Sequence, residues 1–285
     1  MDHVGPIERT VRNVLITLVL IFFMFPIVWI VLMSFQTNEQ VLRIPPSPFF
    51  EPTLVNYTAL ITGKLRTAAG SLDIAFMSNL WNSVILSVSS VALSLVLGVP
   101  AAYAFARYKF RFSEDIAFTL LSFKFAPPLL VLLPLTLYFQ AIGLANTYIG
   151  LIWVYQLITL PLILWIVRGY FEDISPDIEG AYRIAGHSWA RTFRKIAIPL
   201  AMPGIAAAAL LSFIFAWNNF VFALVLASAD KQPVTVGALA FVTASGIQYG
   251  QIAAAIVLSI TPTLALALFA QRYLVEGLSL GAVKG

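Results

Sequence analysis

The stretch Glu179-Gly-Ala-Tyr-Arg-Ile-Ala-Gly186-His-Ser-Trp-Ala-Arg-Thr-Phe193-Arg-Lys-Ile-Ala-Ile-Pro199-Leu-Ala-Met-Pro203 is a basic, aromatic-bearing island between two long apolar runs. The flanking runs, Thr147–Val167 and Ile205–Leu226, are each long enough to cross a bilayer, which takes roughly 17–25 residues. Outward from them lie four more such runs: Val14–Met33, Trp81–Phe105, Ile116–Phe139 and Tyr249–Phe269. In hydrocarbon only helices and closed barrels satisfy the backbone, and barrel strands alternate in polarity and last about 10 residues. The pattern therefore reads as an all-α, polytopic membrane protein with six transmembrane helices. The island is a helix-bearing loop between the fourth and fifth spans.

Composition agrees. Apolar residues make up 60% of the chain and charged residues 11%, where a soluble domain carries about 25% charge. Mean hydropathy is +0.90. The net charge of +4 is concentrated in short loops, which is a topology signal and not a nucleic-acid footprint. Cysteine is absent, which excludes disulfides, thiolate metal sites and cysteine nucleophiles. His3 and His187 are the only histidines, too few for a multi-histidine metal centre. The first run follows Arg9 and Arg12 as a signal peptide would. It exceeds the roughly 7–15 residues of a signal-peptide core, however, and no small-x-small cleavage site follows it. It reads as a retained anchor.

Lysine and arginine set the orientation. Twelve of the 17 basic residues, among them Arg9, Arg12, Arg107, Arg168, Arg183 and Arg191, fall on one side of the six-span scheme. Arg43, Lys64, Arg66 and Lys231 fall on the other, and Lys124 lies within the third span. The positive-inside rule makes the first side cytoplasmic, with both termini there. Five spans contain interior proline: Pro26, Pro100, the Pro127/Pro128/Pro134 group, Pro161 and Pro262. Kinks are expected at each, because proline removes a backbone donor. Residues 34–80 form a long outer loop that includes Pro45-Pro46-Ser47-Pro48. No internal repeat of about 20–50 residues is present.

Within the island, Ser175-Pro176-Asp177 is a helix start, with an N-cap serine and proline at the first helical position. Asp177 and Glu179 suit the positive end of the helix dipole. Ile178, Tyr182, Ala185, Trp189 and Phe193 recur at steps of three and four, which is one helical stripe. Glu179, Arg183, His187, Arg191 and Lys195 recur on a different side. Gly186 interrupts, so two short helices joined at a corner are expected, the second capped by Ser188. Pro199 and Pro203 are expected to end the unit and start the next span. Pattern alone fits either an amphipathic helix in the lipid interface or a helix that docks a soluble protein.

Glu179-Gly-Ala-Tyr-Arg-Ile-Ala-Gly-His-Ser, followed by Phe193, Pro199, Leu200 and Pro203, resembles the EAA loop of binding-protein-dependent ABC importers. That loop typically reads E-A-A, three residues, D-G-A, then a spaced phenylalanine and a late L-P or P-L. Here Gly180 replaces an alanine, Ala185 an aspartate and His187 a small residue. Leu54-Val-Asn-Tyr57 resembles the family's outer-loop segment and Ala101-Ala-Tyr-Ala-Phe-Ala-Arg107 the end of its second span. Trp217-Asn218-Asn219-Phe220 resembles its fifth-span element. The tail Glu276–Gly285, with Lys284, is similar to the end of the maltose permease group.

The resemblance implies a single transmembrane domain over 1–285 whose loop 175–203 is a cytoplasmic coupling element. Its residues would be Glu179, Ala181, Tyr182, Arg183, Gly186, His187, Ser188, Trp189 and Phe193, seated in a cleft on an ATPase. The implied partners are a second, homologous permease forming a heterodimer, two cytoplasmic ATPase subunits and an extracytoplasmic solute-binding protein. ATP and magnesium would be bound by the ATPases. This chain has no G-x-x-x-x-G-K-[ST] phosphate loop; Gly63-Lys64 is followed by Leu65. The implied location is the bacterial inner membrane, and the cargo a carbohydrate or related polyol.

Candidates for the solute path are Lys124, Gln156, Asn218 and Asn219, with Thr159, Asn79 and Asn82 nearby in the pattern. An intramembrane ionisable residue is costly and is commonly functional, although Lys124 also fits snorkelling to the interface. The amides fit either sugar recognition or helix-to-helix hydrogen bonding. No Asp or Glu lies within a span. Proton-driven carriers commonly use one, which weakens the alternative of a stand-alone secondary carrier. A membrane-embedded enzyme has no cluster of His, Cys and carboxylate to work with.

Overall fold

Helices dominate the chain because its long apolar runs have no other way to satisfy their backbones in lipid. The computed structural model describes residues 5–45, 49–67, 70–125, 127–243 and 246–281. In chain order these form α1 (Pro6–Ser34), α2 (Asn38–Val41), α3 (Val55–Thr62), β1 (Lys64–Thr67), β2 (Gly70–Asp73) and α4 (Phe76–Arg107). Next come α5 (Ser113–Ser122), α6 (Pro128–Ala141), α7 (Tyr148–Asp173), α8 (Pro176–Ile184), α9 (Trp189–Thr192) and α10 (Ile198–Trp217). The order ends with α11 (Val221–Leu226), α12 (Val234–Gly237), β3 (Val242–Thr243), β4 (Gly246–Ile247) and α13 (Tyr249–Gly281). Lys284 and the residues Pro46, Ser47 and Pro48 singled out in the sequence lie outside the described residues.

Two units divide the chain. The first comprises Met1–Met77 and Ala238–Ile260. Its α1 exposes apolar side chains on every face, among them Leu15, Leu20, Phe22 and Phe25; an all-apolar helix of this kind has lipid as its solvent. The end of α1 is held by the Leu54-Val-Asn-Tyr57 segment. Buried Asn56 donates through Nδ2 to the Ser34 carbonyl at 2.9 Å and the Gln36 carbonyl at 2.7 Å, satisfying carbonyls that a helix end leaves orphaned. Tyr57 Oη lies 2.7 Å from Ser34 Oγ. Gly250 in α13 backs onto the same knot: a Cβ there would crowd the Gln36 carbonyl and the Asn56 amide. Two small antiparallel hairpins complete this unit, β1 with β2 (Lys64 opposite Asp73) and β3 with β4 (Val242 opposite Ile247). They are the only strands among the described residues and leave the all-α class intact.

The second unit comprises Ser78–Gly237 and Thr261–Gly285. Here α7 packs against both α4 and α10. Gly98 lets α4 approach the Ile163 side chain, and Gly204 lets α10 approach the Tyr170 ring; small residues serve close helix approach in membranes. A polar seam runs through this packing. Ser94 Oγ donates to Gln156 Oε1 at 2.5 Å and lies 2.6 Å from Thr159 Oγ1. Gln156 Nε2 donates to the carbonyls of Ser90 and Ile152, and Ser212 Oγ of α10 reaches the Thr159 carbonyl at 3.4 Å.

Among the described residues five helices are long and apolar enough to cross a membrane, or six spans if the bent pair α5 and α6 counts as one. That pair corrects the expected third span. Ile116–Phe139 is not one helix: α5 passes through a 3₁₀ turn at Phe123–Phe125, and α6 leaves at 97°. Tandem Pro127 and Pro128 remove two consecutive donors and disfavour helical geometry in the residues before them, so the backbone breaks where a kink was expected.

The fifth span is also corrected. Helix runs from Trp189 to Trp217 and breaks at Asn218 and Asn219, so its start lies well before Ile205 and its end before Leu226. Pro199 lies in the first turn of α10, where the next span was expected to start, but the helix is continuous from Trp189, so neither proline separates the unit from the span. A π-helical turn at Phe193–Ala197 includes Lys195, the residue whose carbonyl the Pro199 ring would meet in a regular helix; such a wider turn relieves that clash. The remaining helices overrun their expected spans, with α4 and α7 ending at Arg107 and Asp173.

Candidate coupling corner and solute cleft

The island folds as a cornered pair of helices. Ser175 Oγ accepts from the Asp177 amide at 3.3 Å, and Pro176 occupies the first turn of α8. Gly186 takes φ +90°, a left-handed backbone that favours glycine. Ser188 Oγ accepts from the Arg191 amide at 3.4 Å and starts α9. The second member is not a free short helix, since α9 continues without interruption into the fifth span.

One member of the polar stripe turns inward while Arg183, Arg191 and Lys195 stay exposed. Glu179 is only 4% exposed and meets Arg107 at the end of α4: Arg107 Nη2 lies 2.7 Å from Glu179 Oε1, and Nε donates to the same oxygen at 2.9 Å. Tyr103 Oη donates to Glu179 Oε2 at 2.5 Å, and Arg107 Nη2 also donates to the Ile174 carbonyl at 3.0 Å. Both carboxylate oxygens are therefore occupied from α4, as a buried charge requires. Phe193 also turns inward, 4.8 Å from the Tyr103 ring and 6.4 Å from Phe171.

The outward residues are Ile178, Ala181, Arg183, Ile184, Ala185 and Trp189, with Ile184 89% exposed. Arg183 lies over the Trp189 ring at 3.9 Å, and Tyr108 lies 5.7 Å from that ring. Tyr182 stacks on His187 at 4.0 Å, and Arg191 Nη1 is 3.3 Å from His187 Nδ1. A second clamp holds α5 to α7: Arg168 pairs with Glu114 at 2.5 Å and with Glu172 at 2.6 Å.

Arg107 and Tyr103 were not among the sequence candidates. Their signal was present: two polar residues one helical turn apart, closing an otherwise apolar run. The partner could not be read, because Glu179 lies 72 residues further along the chain.

The solute-path candidates separate. Lys124, Asn218 and Asn219 line one cleft of about 330 Å³, together with Phe215 and Phe220. Lys124 Nζ sits 4.2 Å from the Phe215 ring centroid. Gln156 and Thr159 do not reach this cleft; they belong to the buried seam that ties α4, α7 and α10. Asn82 has a third role. It donates to the Asp230 and Gln232 carbonyls, each at 3.0 Å, and accepts from Tyr148 Oη at 2.6 Å.

Several membrane-length apolar helices, with an exposed cornered pair at Gly186 between α7 and α10, define a polytopic membrane protein. Residues 94–279 match the family described as binding-protein-dependent transport system inner membrane component, and the chain belongs to that family. It is 35% identical to the trehalose transport system permease protein SugB of Mycobacterium tuberculosis, covering 99% of this chain and 100% of that one. It is 31% identical to the trehalose/maltose transport system permease protein MalG of Thermococcus litoralis, covering 98% and 99%. Among solved structures, a bacterial ABC transporter involved in import of the acidic polysaccharide alginate matches with a TM-score of 0.74 at 25% identity, over 96% of this chain and 98% of that one. These relatives are transport subunits, and the chain is a multi-pass inner-membrane component of such a system.

Proposed function

We propose that this chain is a permease subunit of an ATP-driven carbohydrate importer, and that the α8–Gly186–α9 corner is where an ATPase subunit acts on it. The observation that carries the reading is the double anchorage of the corner. Glu179 ties α8 to α4 through Arg107 and Tyr103, and α9 is continuous with the fifth span. A push on the exposed face is thus delivered to two membrane helices at once. Ile178, Ile184, Trp189 and Arg183 give that face the apolar, aromatic and arginine character of a protein interface. Glu179 and Phe193 act in this scheme as anchors of the corner, while Ala181, Tyr182, Arg183, Gly186, His187, Ser188 and Trp189 form the part a partner meets.

The carbohydrate class rests on the trehalose, maltose and alginate transport of the relatives. The remaining machinery would be a second permease, two ATPases that bind ATP and magnesium, and an extracytoplasmic binding protein. Both termini would face the cytoplasm. The test is reconstitution in proteoliposomes with these partners and uptake of a radiolabelled panel of neutral and acidic saccharides. Uptake should require ATP and fail without the ATPases. Uptake by this chain alone, driven by an ion gradient, would replace the reading with a secondary carrier.

A further inference from the structure

Among the described residues, the cleft at the break of the third span holds a cation with no formal counter-charge. Its lining includes Lys124, Asn218 and Asn219 and contains no Asp or Glu. Among the described residues no carboxylate lies within ion-pair distance of Lys124; its close partner is the Phe215 ring face at 4.2 Å. A charge held within a membrane span is costly unless compensated, and a ring face compensates an ammonium less well than an anion that accepts a charge-assisted hydrogen bond.

Phe215, Asn218 and Asn219 stand three and four residues apart, so one side of the α10 terminus presents them together. The helix breaks just there. Asn219 Oδ1 is buried and receives no hydrogen bond among the described residues, so it can accept from a donor such as a sugar hydroxyl. The break of the third span contributes the ammonium, and the break of the fifth contributes the amides.

We propose that this cleft is a solute site selective for anionic, hydroxyl-bearing sugars, meaning saccharides that carry a carboxylate, sulfonate or phosphate. Lys124 takes the acidic group and the Asn218/Asn219 break takes hydroxyls. The proposal rests on the permease reading above and narrows its cargo.

The test uses the full-length chain in phosphatidylcholine nanodiscs, with D-glucuronate and D-glucose as a matched pair of probes, read by saturation-transfer NMR. Glucuronate should bind about tenfold more tightly than glucose, the size expected of one charge-assisted hydrogen bond. Lys124→Gln should bring glucuronate down to the glucose level and leave glucose unchanged, whereas Lys124→Arg should retain the preference. Equal binding of the two probes by the wild-type chain overturns the proposal without reference to any variant. A preference that survives Lys124→Gln overturns it as well. Suppression of the glucuronate signal when phosphatidylglycerol is added to the disc assigns the cleft to lipid headgroups and also overturns it. ATP-dependent uptake by the assembled complex is read separately. Loss of uptake with the binding preference intact would therefore fault the importer reading and spare the cleft.

Discussion

Arg107, the last residue of α4, and Glu179, near the middle of α8, form a buried ion pair at 2.7 Å with Tyr103 as a third member. Such a pair need not add stability over an apolar substitute, yet breaking it strands a charge at a cost of about 3–5 kcal/mol. Arg107→Ala and Glu179→Ala should each destabilise the protein by about that amount, and the double variant by less than the two together. Tyr103→Phe should cost about 1.5–3 kcal/mol, as for loss of a hydrogen bond to a charged group. Unfolding of the purified chain in detergent measures all four. Strict additivity of Arg107→Ala and Glu179→Ala would show that the pair does not act as a unit.

Gly186 separates conformation from contact. Its φ is +90°, and a Cβ built there meets nothing within 4 Å. Gly186→Val therefore costs backbone strain of about 1–3 kcal/mol and no steric clash. The corner should distort while the spans insert normally. In the assembled complex, basal ATPase should persist and its stimulation by solute should fall. Gly186→Asn should be milder, since asparagine enters the left-handed region more readily. Unchanged solute-stimulated ATPase in Gly186→Val would remove the corner from the coupling path.

The all-α class and the order of the long apolar runs were legible because length and apolarity are local properties of each run. So was the corner, since Ser175, Pro176, Gly186 and Ser188 act on backbone within three residues of themselves. Three features were not legible, and each depends on a distant partner or on competition between signals. Glu179 was grouped with Arg183, His187, Arg191 and Lys195, because nothing near it in sequence shows that Arg107 and Tyr103 wait on another helix. Gln156 resembled Asn218 as an intramembrane amide, and only the packing of Ser94 and Ser90 against it makes one a helix tie and the other a cleft residue. The break at Pro127 and Pro128 was announced by proline, but the run of leucines after it read as a continuing span. Its angle depends on where α6 finds packing against α11 and α7.

Gly204 and Tyr170 set the approach of α10 to α7. A Cβ on Gly204 would overlap the Tyr170 ring, so Gly204→Ala must displace that ring, at a cost of about 1–3 kcal/mol for overpacking. Tyr170→Ala should recover part of the loss in the double variant, because it removes the obstructing atoms. Thermal unfolding of the three variants decides this. No recovery in the double variant would mean that Gly204 is required by the backbone of α10 and not by the ring.

Asn82 bonds three partners near the end of α4 opposite the one that meets the corner. Its amide donates to the Asp230 and Gln232 carbonyls, its oxygen accepts from Tyr148, and the neighbouring Ser83 Oγ accepts from the Val234 amide at 2.8 Å. Asn82→Asp removes both donations and sets a carboxylate against two carbonyls. At about 1 kcal/mol for each lost bond, local opening should become about 30-fold more frequent. Tyr148→Phe removes one bond and should raise opening about fivefold by the same reckoning. Hydrogen exchange at the Val234 amide reports both, because that proton is protected only while the segment lies against Ser83. If Asn82→Asp leaves its exchange rate at the wild-type value, residues 228–234 are held by the packing of α12, where a Cβ on Gly237 would collide with Asn79, and not by Asn82.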